Sequence, residues 1–135
     1  MNGTLSPQQP IRFRWLWELV GALLICFVVY ESLTRNPIEI PLEHGDKYGH
    51  ALAYATLMFW FAQLHGEARG RFAWASAFVA MGIALEFLQG LTDYRTFEVR
   101  DMIADAYGVF IGWIIAPPRS PPLLRFIESR FPAGF

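Results

Sequence analysis

Four long apolar runs constrain this chain more than any other feature of its sequence. They cover residues 15–30, 47–64, 72–91 and 102–116, and short connections with Pro, Gly or charged residues separate them. A helix needs about 20 apolar residues to cross the roughly 30 Å hydrocarbon core of a bilayer. The runs therefore predict an all-α polytopic membrane protein, a bundle of four transmembrane helices. Because the fourth run is short, its helix is expected to begin at or before Arg100.

The segments outside these runs predict how the rest of the chain is organised. Residues 1–12 begin with a polar stretch rich in Pro and Gln, which is typical of a disordered tail. Residues 13–116 form the predicted membrane domain. A pair of prolines then ends the fourth run, and apolar and charged residues intermingle up to residue 135. Residues 117–135 are therefore predicted to be a cytoplasmic amphipathic tail with a short C-terminal interfacial helix.

Composition excludes several classes of protein. Hydrophobic residues make up 54% of the chain and charged residues 17%, below the roughly 25% of soluble domains. The net charge is −1 and the arginines form no basic stripe, so no nucleic-acid partner is expected. Cys26 is the one cysteine, which excludes an internal disulfide.

The distribution of Arg and Lys predicts the orientation of the bundle. Seven of the eleven lie at one set of span ends: Arg12, Arg14, Arg69, Arg71, Arg119, Arg125 and Arg130. Cytoplasmic loops carry the excess of Arg and Lys, so both termini are expected in the cytoplasm. The connections before the second span and after the third then face outward.

Polar residues recur at helical spacing near these outward ends. Asp46, His50 and Tyr54 are spaced i, i+4 and i+8, which places them on one face of the second helix. The same rule places Glu86 and Gln89 on one face of the third helix, together with Gly82. On the fourth helix it aligns four residues: Asp101, Asp105, Gly108 and Gly112. The Gly-x-x-x-Gly spacing lets a neighbouring backbone approach closely.

These stripes are expected to converge in one pocket open to the outer face. Ionisable groups inside membrane helices normally face a protein interior or a wet cavity. Arg95 is expected to be the main cation of the pocket, whereas Lys47 and Arg100 are expected to reach the lipid head groups. Because burial disfavours a charged carboxylate, Glu86 is expected to share a proton with His50.

Three ordered motifs run through the membrane domain: Asp46-Lys47-x-x-His50-x-x-x-Tyr54, then Gly82-x-x-x-Glu86-x-x-Gln89, then Arg95 followed by Asp101-x-x-x-Asp105-x-x-Gly108-x-x-x-Gly112. Together they resemble the VanZ-like family of bacterial integral membrane proteins. The pattern in that family usually has Asn where this chain has Asp105. The resemblance implies a multi-pass protein of the bacterial cytoplasmic (inner) membrane. Through the family's namesake it also implies a link to glycopeptide (teicoplanin) resistance and the cell envelope, but no settled biochemical activity.

The residues leave two functional classes open. The first is an enzyme acting on an envelope lipid or lipid-linked saccharide, with His50 or Glu86 as general base and Asp101 or Asp105 orienting it. Arg95 would bind an anionic group such as phosphate. No cofactor is required and no metal motif is present, although His50, Glu86 and Asp101 together could hold a divalent cation.

The second class is a non-catalytic binding, transport or scaffold module. In that case the polar residues hold a head group, an ion or a partner, or form only a structural network. The candidate binding residues in either class are Asp46, Lys47, Tyr54, Gln89 and Arg95. Asp46 and Asp101 also have a structural interpretation as carboxylates at helix starts. Membrane lipids are the expected partners, and the sequence predicts no oligomeric state.

Overall fold

The computed structural model describes residues 10–119 and 121–134. These residues form five α-helices and no strand, which confirms the all-α class. The helices are α1 (Arg14–Leu33), α2 (Gly45–Leu64), α3 (Ala68–Gly90), α4 (Val99–Ile115) and α5 (Leu123–Glu128). Of the predicted N-terminal disordered tail, residues 1–9 lie outside the described part of the chain.

Helices α3 and α4 both begin before the apolar runs that predicted them. Helix α4 begins at Val99, before Arg100, as its short apolar run requires. Helix α3 begins at Ala68, four residues before the apolar run at 72–91. The polar turn is shorter than expected because Arg71 is buried, and its guanidinium donates to the carbonyl oxygens of Ala62 and Pro117.

Helix α2 lies at the centre of the bundle. Its buried side chains Tyr54, Leu57, Met58 and Phe61 pack in one apolar core with residues of all three other long helices. The most extensive contact in the bundle is between α2 and α4. Burial of this kind stabilises the fold by about 25 cal/mol per Å² of apolar surface where water is the reference.

Glycines on α4 permit the close contact with α2. A Cβ atom at Gly108 would collide with the carbonyl oxygen of Ala51, and one at Gly112 would collide with that of Ala55. The predicted close approach along this Gly-x-x-x-Gly stripe is therefore present. It fixes the depth at which the polar residues of α2 and α4 face each other.

Helix α5 packs on the end of the bundle where α1 begins and α2 ends. Leu124 is buried against Trp17 and Leu64. The Glu128 carboxylate accepts hydrogen bonds from the backbone N–H groups of Arg12 and Phe13 and from Trp17 Nε1. The inner face of this helix thus belongs to the protein core. Its predicted interfacial position stays a prediction.

Two of the described helices are long and apolar enough to cross a membrane, α1 and α3. Helix α4 has 17 residues, and α2 begins with polar residues. The exposed side chains of α1 include Trp15, Leu19, Leu23, Phe27 and Tyr30. An apolar surface of this extent is typical of a face that contacts lipid or another protein.

Candidate functional site

Lys47 lies at the centre of a cluster of carboxylates. Its Nζ is 2.6 Å from Asp46 Oδ2 and 2.5 Å from Glu98 Oε2, and it also pairs with Asp101 Oδ1. Asp46 and Asp101 lie in the first turns of α2 and α4, where the helix dipole favours acids. The side chain of Lys47 is only 20% exposed. The expectation that it reaches lipid head groups is therefore wrong, because these acids bind its ammonium group.

His50 lies one turn further along α2, between two carboxylates of α4. Its Nδ1 is 2.7 Å from Asp105 Oδ1, and its Nε2 is 3.5 Å from Asp101 Oδ2. An ionised carboxylate only accepts hydrogen bonds, so an ionised Asp105 requires the His50 proton to lie on Nδ1. This contact orients the ring and leaves Nε2 to accept a proton or to donate one.

Asp105 is buried against α3 as well as bonded to His50. A Cβ atom added at Gly82 would lie 2.7 Å from Asp105 Oδ2, so the missing side chain of this glycine makes room for the carboxylate. The glycine of the second motif thus supports an acid of the third. Because Gly82 shares a helix face with Glu86 and Gln89, this contact lies on the face of α3 that carries both polar residues.

Glu86 is fully buried but has a different partner from the one expected. Its Oε1 accepts a hydrogen bond of 2.8 Å from the backbone N–H of Glu98, just before α4 begins. Asp105 takes the hydrogen-bonding position on His50 instead. The first amides of a helix lack partners within it, and those just before it share this need. Glu86 therefore holds the start of α4, and its proposed role in proton transfer stays a prediction.

Gln89 and Arg95 are directed at the end of α1. Gln89 Nε2 donates to Ser32 O at 2.7 Å, and Arg95 Nη1 donates to Thr34 O at 3.2 Å. Arg95 forms no ion pair with a carboxylate within the described ranges, so the expectation that it is the counter-ion of the clustered acids is wrong. The last carbonyls of α1 need donors from outside the helix, and they attract this guanidinium. Lys47 is the cation that contacts the acids.

A cavity of about 670 Å³ opens between α1, α2 and the connection that joins them. Four of the predicted site residues line it: Asp46, His50, Tyr54 and Arg95. Tyr54 is buried, and its hydroxyl has no hydrogen-bond partner in the part of the chain that the structure describes. His50 both lines the cavity and contacts the carboxylates of α4. The predicted residues thus form two groups joined by this histidine.

The carboxylate cluster also bears on metal binding. Oxygen atoms of Asp46, Glu98 and Asp101 lie within 4.8 Å of one another. This set differs from the predicted combination of His50, Glu86 and Asp101, because Glu86 is turned towards the amide of Glu98. The Lys47 ammonium pairs with all three clustered acids, so a bound cation would have to compete with it.

The sequence-based interpretation missed Glu98. Its carboxylate binds Lys47 and its amide binds Glu86, so it joins α2, α3 and α4. The signal was its position three residues before Asp101, which places the two acids on the same side of the helix start. Ser32 was missed as well, because it contributes a backbone carbonyl that side-chain patterns do not reveal.

Comparison with known proteins identifies a family for this chain. The model of the VanZ/LLP1 family matches residues 5–124. Neither a curated protein nor a solved structure matches the chain. The match covers α1 to α4 and every residue of the site described above. The chain therefore belongs to the VanZ/LLP1 family.

Proposed function

We propose that this protein spans the bacterial cytoplasmic membrane with all four long helices and has both termini in the cytoplasm. In an apolar 18-residue stretch of each helix, only 17% is buried for α1 and 33% for α3, which suits helices that face lipid. The start of α1 and helix α5 share one end of the bundle, where Glu128 binds Phe13. Most of the arginines belong to that end, as expected for the cytoplasmic side.

The opposite end then faces outward and carries the functional site. There a pocket of His, Asp, Glu, Lys and Arg residues binds or acts on the head group of an envelope lipid or lipid-linked saccharide. One observation carries this proposal: His50 lines an open cavity while a buried carboxylate holds its other ring nitrogen. The family's link to glycopeptide resistance suits a substrate in the cell envelope.

An enzymatic role would use His50 as the general base or acid. Asp105 orients the ring through Nδ1, so that Nε2 can exchange a proton with a ligand hydroxyl or a water molecule. Arg95 lies on the cavity wall and uses only Nη1 for its side-chain hydrogen bonds to described residues. The remaining donors of its guanidinium suit a phosphate group.

A non-catalytic binding, transport or scaffold module is the second candidate. The observation in its favour is that Lys47 already pairs with three acids. Such pairing is what a structural network would need. Under this alternative His50 stabilises the helix contact and takes part in no reaction.

The substitution His50→Gln distinguishes between the two candidate functions. His50→Gln keeps an amide that can donate to Asp105, so the protein should still fold while it loses its effect on glycopeptide susceptibility. His65→Gln is the matched control, because His65 follows the same helix at its other end. Susceptibility to teicoplanin is measured in a strain that depends on this protein, with melting temperature in detergent alongside. Full activity of the His50 variant would exclude the enzymatic role.

A further inference from the structure

The cavity between α1 and α2 changes from polar to apolar along its length. On α2 its lining begins with Asp46 and His50 and ends with Leu57. On α1 the polar residues Glu31 and Ser32 lie near the same end as His50, and Leu24 lies deeper. On both helices the charged lining residues therefore lie at the end near His50, and the lining towards the middle of the bundle carries no charged residue. A site with this gradient suits an amphipathic molecule.

The size of the cavity suits one slender hydrocarbon chain. Leu57 lies seven positions after His50, which corresponds to about 10 Å along the helix. The volume of about 670 Å³ lies within the roughly 300–1,000 Å³ of small-molecule sites. Phe27, Leu52 and Ala53 line the cavity between its two ends. These apolar side chains cannot form hydrogen bonds with a polar ligand.

Arg95 has donors left for a ligand on the wall of this cavity. Its guanidinium donates through Nη1 to two carbonyls of the α1 end, so its other nitrogens remain available among the described contacts. The Tyr54 hydroxyl is fully buried on the side of Asp105 and Glu86, so Tyr54 contributes its ring to the cavity wall and no hydrogen bond to a ligand.

From these observations we infer that the cavity binds a phosphate-bearing lipid, with one hydrocarbon chain between α1 and α2. The phosphate lies at Arg95 beside His50, and the chain extends past Leu52 towards Leu24 and Leu57. The inference rests on the proposed function and deepens it, since it places the lipid whose head group reaches His50. The site then has two parts. The ionisable groups lie between α2 and α4, and the hydrocarbon chain lies between α1 and α2.

The test is photolabelling of the full-length protein in nanodiscs. The probe is a lysophosphatidylethanolamine with a diazirine at the end of its single acyl chain. Labelling is expected at Leu24 or Phe27, and unlabelled lysophosphatidylethanolamine should compete for the site and abolish it. Glycerophosphoethanolamine, which has the head group without the chain, should not compete.

Two pairs of variants test the two ends of the lipid. Leu52→Trp narrows the cavity at a residue that is 65% exposed, so folding is preserved and labelling should fall. Ala84→Trp, on an exposed part of α3, is its control. Arg95→Gln should weaken competition by the lipid about tenfold through loss of charged hydrogen bonds. Arg100→Gln, at an exposed arginine of α4, should leave it unchanged.

Three outcomes would overturn the inference. Labelling that does not saturate and spreads over the exposed faces of α3 and α4 would mean contact with bulk lipid. Equal competition by glycerophosphoethanolamine would mean a site for the phosphate group alone. Unchanged labelling in Leu52→Trp would place the chain elsewhere.

The outcomes also distinguish this inference from the proposed function. Saturable labelling of α1 together with a fully active His50→Gln variant would keep the lipid site and reject the catalytic histidine. Loss of activity in that variant without saturable labelling would reject only the placement of the lipid.

Discussion

The two ends of this bundle bury charged groups in different ways. At the end where α5 packs, which we call the tail end, Arg71 donates to two backbone carbonyls and Glu128 accepts from two backbone amides. At the end where α2 and α4 begin, the polar end, ionisable groups meet one another. Lys47 contacts three carboxylates there, and His50 contacts two.

This difference separates structural charges from charges that can do chemistry. A backbone carbonyl or amide keeps its dipole at every pH, so it favours the charged form of the group bonded to it. A histidine between two carboxylates can gain or lose a proton, and its partners can exchange a cation or a substrate. The polar end also adjoins the cavity between α1 and α2. The contacts of the tail end therefore stabilise the fold, and the proposed function belongs to the polar end.

The largest effect should come from breaking the contact on which the polar end depends. Gly108→Val would drive a side chain into the backbone of α2 at Ala51. Overpacking at a backbone contact should cost about 3 kcal/mol or more, enough to separate α2 from α4. Melting temperature in detergent measures the loss. Gly66→Val is the control because that glycine faces open space; equal melting temperatures for the two variants would contradict the predicted packing role.

Removing the central cation should have the next largest effect. Lys47→Met leaves Asp46, Glu98 and Asp101 without their shared counter-ion. Because the Asp46 and Glu98 side chains are 58% and 43% exposed, water screens part of the loss, and the cost should be about 2 kcal/mol. Arg100→Met, at an exposed position of α4, should cost far less. The comparison uses thermal unfolding of both variants in one detergent. If Lys47→Met melts at the same temperature as the wild type, the stability of the fold does not depend on the pairing of these acids with Lys47.

The tail end should show a pH dependence of its own. Burial opposes the charge of Glu128, yet hydrogen bonds from Phe13, Arg12 and Trp17 outweigh it and lower the pKa of this carboxyl below its usual 4.5. Its contribution to stability is therefore present above pH 4.5 and is lost as the pH falls through the lower pKa of the folded protein.

Glu128→Gln tests that dependence. The variant should lose about 1–2 kcal/mol at neutral pH, because neutral hydrogen bonds replace charge-assisted ones. The gap in melting temperature between the wild type and the variant should close as the pH falls below 4.5. Function at neutral pH should remain. A constant gap from pH 7 to pH 3 would contradict the lowered pKa.

The sequence was informative about elements and faces, and less so about partners. Apolar runs predicted every long helix, and the i, i+4 spacing placed His50 on one face of α2 and Asp101 and Asp105 on one face of α4, because both predictions follow from helical periodicity. The spacing could not tell whether Arg95 or Lys47 would meet the acids. That choice depends on the loop before α4, which brings Arg95 to the carbonyls of α1.

Backbone partners account for the other errors. Glu86 binds an amide and Gln89 binds a carbonyl, and neither partner is visible in a pattern of side chains. Glu98 escaped notice because it lies in the connection before α4, outside the helical stripes. The contacts of Glu128 at the tail end were not predicted, because they join residues more than a hundred positions apart in the sequence.

The most direct test of the account is the fate of Glu86→Gln. The amide keeps an oxygen that can accept from the Glu98 backbone N–H, and it removes one acid from an end where acids outnumber cations. If the polar end serves activity, the variant should melt at the same temperature as the wild type or higher, while its effect on teicoplanin susceptibility is lost. A lower melting temperature with susceptibility unchanged would show that Glu86 is a structural residue only and would contradict a role of this carboxylate in the activity proposed for the polar end.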